Sequence, residues 1–168
     1  IYERLCLEGF QSGLSWLTIF RKREAFREAF AQFDPEQVAR YAPSDVDRLL
    51  KNAGIVRHRG KVEAAIANAR ATLDLRRAGT PLDELFWSHA PTTHDAPQTP
   101  TDWQPATPES TALSKLLRRH GFRFVGPTTV YASMQACGVV NDHLATCFVR
   151  EAVERERAAD AINRPMAS

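Results

Sequence analysis

The sequence predicts an all-α fold, a bundle of about seven or eight mostly short helices. Three observations predict it. Apolar residues recur at helical spacing, and strand-like alternation is nearly absent. Glycines and prolines fall where helices would start and stop. The chain has 168 residues and is 43% hydrophobic, enough for one packed core.

Each element follows from local pattern. Residues 2–11 read as the end of a helix, interrupted by Gly13. From Ser15, the side chains of Trp16, Ile19, Phe20, Phe26, Phe30 and Phe33 fall on one apolar stripe, with Arg21, Lys22, Arg23 and Glu24 mostly opposite. Asp34-Pro35-Glu36-Gln37 is a start signal: Asp34 caps, Pro35 suits the first helical position and Gln37 completes a capping box. Pro43-Ser44 ends that short helix, and Ser44 caps the next, Asp45 to Ala53, which Gly54 closes as a C′ glycine. A helix over 61–78 carries Val62, Ala65, Ile66, Ala69 and Leu73 and stops at Gly79; Thr80-Pro81 opens another through Trp87. Pro91, Pro97, Pro100, Pro105 and Pro108 then mark a long irregular connection. Helical pattern returns over Pro108–His120, closed by Gly121, and again from Pro127 through Ala136. The charged segment after Cys147 reads as a solvated helix fraying into a disordered tail at Asn163-Arg164-Pro165.

Composition excludes several classes. A 43% apolar content is too high for a wholly disordered chain. No run approaches the about 18 apolar residues of a membrane span, and no secretory signal opens the chain. Cys6, Cys137 and Cys147 are too few and too scattered for a disulfide framework, which predicts a reducing cytoplasm. With 22 basic and 20 acidic residues the net charge is +2, so a nucleic-acid role must rest on where the charges sit.

Four segments hold chemistry. Gly54-Ile55-Val56-Arg57-His58-Arg59-Gly60-Lys61 is a short turn between helices. The start of its second helix leaves backbone N–H groups unpaired, and Arg57, Arg59 and Lys61 add positive charge there. DNA phosphates reward that combination, although a helix connector with solvated basic residues has the same look. Leu7-Glu8-Gly9-Phe10-Gln11-Ser12-Gly13-Leu14-Ser15-Trp16 sets a carboxylate among apolar residues, a flexible glycine and an indole within nine positions. It suits a base-recognition site, or a core tryptophan beside a locally paired charge. His143 and Cys147, four apart, suit two ligands of a tetrahedral Zn²⁺, or a core pair. Gly121-Phe122-Arg123-Phe124-Val125-Gly126 leads into Tyr131, Met134, Gln135, Cys137 and Gly138, a density that fits close helix packing or a pocket wall.

Taken together, these segments resemble the DNA-3-methyladenine glycosylase I family. The resemblance is carried by Cys6-Leu7-Glu8-Gly9, Gly13-Leu14-Ser15-Trp16, Phe33-Asp34-Pro35, Ala53-Gly54-Ile55-Val56-Arg57-His58-Arg59-Gly60-Lys61 and Asn68-Ala69-Arg70-Ala71. Leu113-Ser114-Lys115, Gly121 to Gly126, Met134 to Gly138 and Asn141-Asp142-His143 continue it, in order, across residues 1–148. The resemblance implies a helix-hairpin-helix DNA glycosylase domain over 1–148, followed by a charged tail over 149–168. It implies a monomer that flips 3-methyladenine out of alkylated double-stranded DNA and releases it by hydrolysis without cutting the strand. By that likeness Glu8 is the catalytic and base-recognising carboxylate, Trp16 stacks on the base, and Ser12, Gly13 and Leu14 wedge the duplex. Gly54, Arg57, Arg59, Gly60 and Lys61 hold phosphates, and His143 and Cys147 are the last two ligands of a structural zinc. The family's other two zinc ligands, a Cys and a His, lie in an N-terminal segment that this sequence lacks, so the zinc site here has at most two of its ligands. Catalysis needs no cofactor. Val56 stands where a second glycine is usual in such a hairpin, and no catalytic aspartate follows the turn. A non-catalytic DNA-binding module is the alternative.

Overall fold

The computed structural model describes residues 1–163, with side chains through Ala159. Among the described residues there are nine α-helices and no strand. They are α1 (Tyr2–Gln11), α2 (Trp16–Ala29), α3 (Pro35–Val38), α4 (Pro43–Lys51), α5 (Arg59–Arg77), α6 (Leu82–Trp87), α7 (Pro108–Arg119), α8 (Pro127–Ala136) and α9 (Arg150–Asn163). The predicted class therefore holds, with one or two more helices than expected.

Helix α1 lies at the centre. It packs against α8, α5 and α2, while α5 also receives α3 and α4. Tyr2, Leu5, Leu7 and Phe10 of α1 are buried among Ile19, Phe26, Phe30, Val62 and Met134. The phenol of Tyr2 donates to the Ala65 carbonyl of α5, tying the start of α1 to the first half of α5. Phe10, Phe26, Phe30 and Phe33 form a continuous aromatic cluster with ring centroids 4.6–6.2 Å apart.

Several local readings need correction. Of the expected α2 stripe, Ile19, Phe26, Phe30 and Phe33 are buried, but Phe20 is 70% exposed. Phe20 follows buried Ile19 directly, about 100° round the helix, and so leaves the buried face; further on, α2 ends at Ala29, and Ala31, Gln32 and Phe33 turn through left-handed backbone before Phe33 rejoins the core. Helix α4 starts at Pro43 rather than after Ser44, because the Asp45 carboxylate caps the Ala42 N–H at 2.9 Å. Gly54 is not a left-handed C′ residue. It is small for another reason: a Cβ there would lie 3.0 Å from the Ala25 Cβ of α2 and 2.9 Å from Asn52 Oδ1. Helix α5 starts two residues earlier than expected, capped by His58, whose Nδ1 accepts from the Lys61 N–H. The segment after Cys147 is helical over Arg150–Asn163, and it is docked as well as solvated: Arg157 donates to the Val139 carbonyl. The expected disordered tail, from Arg164, falls outside the described residues.

Candidate active site

Helix α1 carries Glu8 inward on its last turns, and the side chain is only 3% exposed. Its carboxylate opens onto a cavity of about 890 Å³. Among the described residues no donor meets that carboxylate. Burial therefore pushes its pKa up, to about 7, and the Arg4 charge offsets only part of the rise.

After α1 the chain turns outward. Gln11 Nε2 donates to the Leu14 carbonyl, Gly13 takes φ +83°, and Ser12, Gly13 and Leu14 are exposed. The positive φ suits glycine, which lets so short a loop protrude. Ser15 then caps α2 by accepting from the Thr18 N–H. This cap sets Trp16 at the first helical position, 39% exposed, where it walls the same cavity as Glu8. Trp16 is thus not a core residue. Trp87, Trp103, Gln135, Cys137 and Asp142 line the remaining sides.

Asp142 anchors the far wall. Tyr131 and Gln135 of α8 donate to one carboxylate oxygen, and His94 Nε2 meets the other at 2.5 Å. Its backbone carbonyl accepts from Trp103 Nε1 at 3.0 Å. Burial is the largest single influence on Asp142 and pushes its pKa up, but the three donors together outweigh it and hold the carboxyl below its ordinary range. This network folds the proline-rich 91–108 connection back onto the cavity. The sequence reading missed His94, Trp103 and Asp142 as site residues. Its available signal was Tyr131 and Gln135, four apart on one helix face.

The 54–61 turn divides its cations. Arg57 is exposed, and no acceptor meets it among the described residues. Arg59 is exposed but paired, with Asp47 at 2.8 Å and Glu63 at 3.7 Å. Lys61 is buried, and its ammonium donates to the Phe10 and Ser12 carbonyls at 3.0 and 2.5 Å. There it satisfies carbonyls at the α1 C-terminus and ties the protruding loop to α5. The charge expected to face phosphate is spent inside the protein. Gly60 stands in the first turn of α5, whose N–H groups lack helical acceptors, and a Cβ on it would press on the His58 ring at 3.3 Å. Gly54 closes the other side of the turn, and its carbonyl accepts from Lys22 Nζ at 3.2 Å.

His143 Nδ1 and Cys147 Sγ lie 3.5 Å apart. A tetrahedral zinc with ligands at about 2.0 and 2.3 Å would set them about that far apart. The described residues bring no third donor to the pair, since no group of three His, Cys, Asp or Glu that could hold a metal occurs among them. This pair alone does not complete a zinc site.

The profile of the methyladenine glycosylase family matches residues 1–151. The chain is 49% identical over 150 residues to DNA-3-methyladenine glycosylase 1 of Escherichia coli (strain K12), covering 88% of this chain and 80% of that protein. It is 45% identical over 153 residues to DNA-3-methyladenine glycosylase of Haemophilus influenzae, with the same two coverages. Among solved structures, a 3-methyladenine DNA glycosylase I superposes with TM-score 0.84 at 46% identity, over 88% of this chain and 82% of that one. The Staphylococcus aureus enzyme, studied for its recognition of 3-methyladenine, gives TM-score 0.84 at 36% identity over 89% and 80%. The cavity beneath Glu8 and Trp16 is therefore set in a fold shared along nearly the whole chain, and the chain belongs to the methyladenine glycosylase family.

Proposed function

We infer that this protein is a base-excision repair enzyme that releases 3-methyladenine from alkylated DNA by hydrolysis of the N-glycosidic bond. The observation that carries the reading is Glu8, a buried carboxylate with no donor of its own, opening onto a cavity walled by indoles. Such a carboxylate is costly to keep unless something cationic enters. An adenine methylated at N3 in DNA is cationic, flat and already a good leaving group. Its entry favours the ionised form of Glu8, whose charge then accepts a hydrogen bond from the base and stabilises positive charge beside the breaking bond. The Trp16 face adds cation–π attraction to the same charge.

A base stacked in duplex DNA is out of reach, so it is flipped out at a cost of a few kcal/mol, least for a damaged base. Leu14 on the protruding Ser12-Gly13-Leu14 loop is placed to fill the gap. The start of α5 offers the unpaired N–H groups of Arg59 and Gly60, with Arg57, to the backbone phosphates of double-stranded DNA. Gly54 lets the turn sit close on α2. Arg59 reaches phosphate only by leaving Asp47, and Lys61 acts through the loop it holds. Strand cleavage is not part of the reading, because it needs an amine nucleophile in the cavity. Lys22 and Lys61 are held on main-chain carbonyls and line none of it. The reaction uses no cofactor, since methylation has already charged the leaving group. His143 and Cys147 would contribute to a structural zinc only alongside two further donors. The enzyme acts as a monomer in the cytoplasm; no described helix is long and apolar enough to cross a membrane.

Release of free 3-methyladenine from methylated duplex DNA tests the reading, with Glu8→Gln beside the parent. Release above the spontaneous rate, lost in Glu8→Gln, is expected. Salt-sensitive DNA binding without release would leave the non-catalytic module in its place.

A further inference from the structure

The family match ends at residue 151, yet helix α9 runs on from Arg150 to Asn163 and does not stand free. Between α8 and α9 the chain is irregular, and its carbonyls need donors from elsewhere. Two arginines of α9 supply them. Arg150 Nη1 donates to the Asn141 and His143 carbonyls, and Arg157 Nη2 donates to the Val139 carbonyl at 3.0 Å. Arg157 Nη1 also holds both oxygens of Glu154 at 3.1 Å, which fixes the guanidinium in place. In the other direction Asn141, only 1% exposed, donates both amide hydrogens to α9, to the Arg150 carbonyl at 3.1 Å and to Glu154 at 2.8 Å. The residues so gripped are those that bear Asp142 and His143 on the cavity wall. Docked in this way, α9 sets Val153, Glu156 and Arg157 around the cavity that Glu8 and Trp16 share.

We propose that α9 is a wall of the base cavity contributed from beyond the family domain, and that Val153 on it limits the size of the base admitted. The size limit rests on the glycosylase reading; the wall itself does not. The arginine pair pins the helix, and the apolar Val153 side chain presents bulk without charge to a cationic base. Glu156 adds a carboxylate at the rim, so the wall does not repel that charge despite Arg157.

Two measurements on the 168-residue chain separate these statements. The first is the alkylation rate of Cys137 by iodoacetamide, followed by peptide mass spectrometry so that Cys147 is counted apart. Cys137 lines the cavity and its thiol is free. Arg157→Ala should unpin α9 and raise the rate about fivefold or more, while Val153→Phe should lower it, each with the parent's helical circular dichroism. The second is base release. Val153→Phe should raise KM for 3-methyladenine about tenfold with kcat within about twofold. Val153→Ala should shift the ratio of 3-ethyladenine to 3-methyladenine release upward by about threefold. Unchanged Cys137 labelling in both variants overturns the wall, whatever the activity. Altered labelling with an unchanged KM and an unchanged base ratio overturns the size limit alone. A parent chain that releases no base defeats the glycosylase reading and the size limit with it, and the labelling rates still judge the wall.

Discussion

Glu8 and Asp142 line the same cavity, and their surroundings move them in opposite directions. Both are shielded from water. Glu8 sits on a regular helix whose neighbours are mostly apolar, so no donor meets its carboxylate and the Arg4 charge answers only part of it. Asp142 sits in an irregular run where a tyrosine, a glutamine and a histidine converge on it. The difference lies in donors, not depth. A carboxylate with its donors in place is a structural bolt. One left without them is poised to respond to a ligand that brings positive charge. Pairs of titratable groups driven apart in this way mark where acid–base roles divide.

The comparison breaks most readily on activity. Glu8→Gln keeps shape and removes charge, and base release should fall about 100-fold or more. Asp142→Asn should fall far less; equal losses would end the division of roles. Next in size is stability. Asp142→Leu strands the Tyr131, Gln135 and His94 donors and should cost about 1–3 kcal/mol in urea unfolding. A neutral result would show that the bolt holds nothing.

The pH dependence sharpens the contrast. Folded Glu8 keeps its proton up to about pH 7, against an ordinary value near 4.5. Its contribution to stability is fully present below about 4.5 and is lost as pH rises to about 7. Relative to the parent, Glu8→Gln should therefore gain in Tm from pH 5 to 8. Asp142 has a folded value below its ordinary 3.8, so its contribution is present above that value and fades only as pH falls beneath it. The Tm deficit of Asp142→Asn should then be level from pH 5 to 8 and shrink below about pH 4. Parallel profiles would refute the opposed shifts. The smallest effect concerns the two cations of the turn. Arg57→Ala should weaken DNA binding evenly across sequences and reduce the salt slope by about 1, with Tm unchanged. Lys61→Met should lower Tm, because it frees the Phe10 and Ser12 carbonyls.

Much of the site was legible in the sequence because it is local. A carboxylate among apolar residues, a glycine that permits protrusion and a tryptophan all lie within nine positions of one helix-turn-helix start. The donors of Asp142 were not legible together, since His94 comes from 48 residues away through a proline-rich run with no periodicity. Lys61 looked like its solvated neighbours, because nothing local says that the α1 C-terminus lies above it. Gly54 carried the right residue type for a helix stop, but its smallness answers to Ala25, nearly thirty positions earlier. In α9 the alternating charges suggested solvent, yet Arg150 and Arg157 are seven apart and share a face. That spacing was the sign of a docked helix.

The chain contains three tryptophans, Trp16, Trp87 and Trp103, and every one of them walls the cavity. The consequence is optical. No indole elsewhere in the molecule contributes a constant background, so the tryptophan emission comes from one place. A flat, charged guest stacked on Trp16 would quench a large share of it, while a molecule bound at the helix turn would leave the spectrum in place. The protein carries its own occupancy gauge, without a label attached.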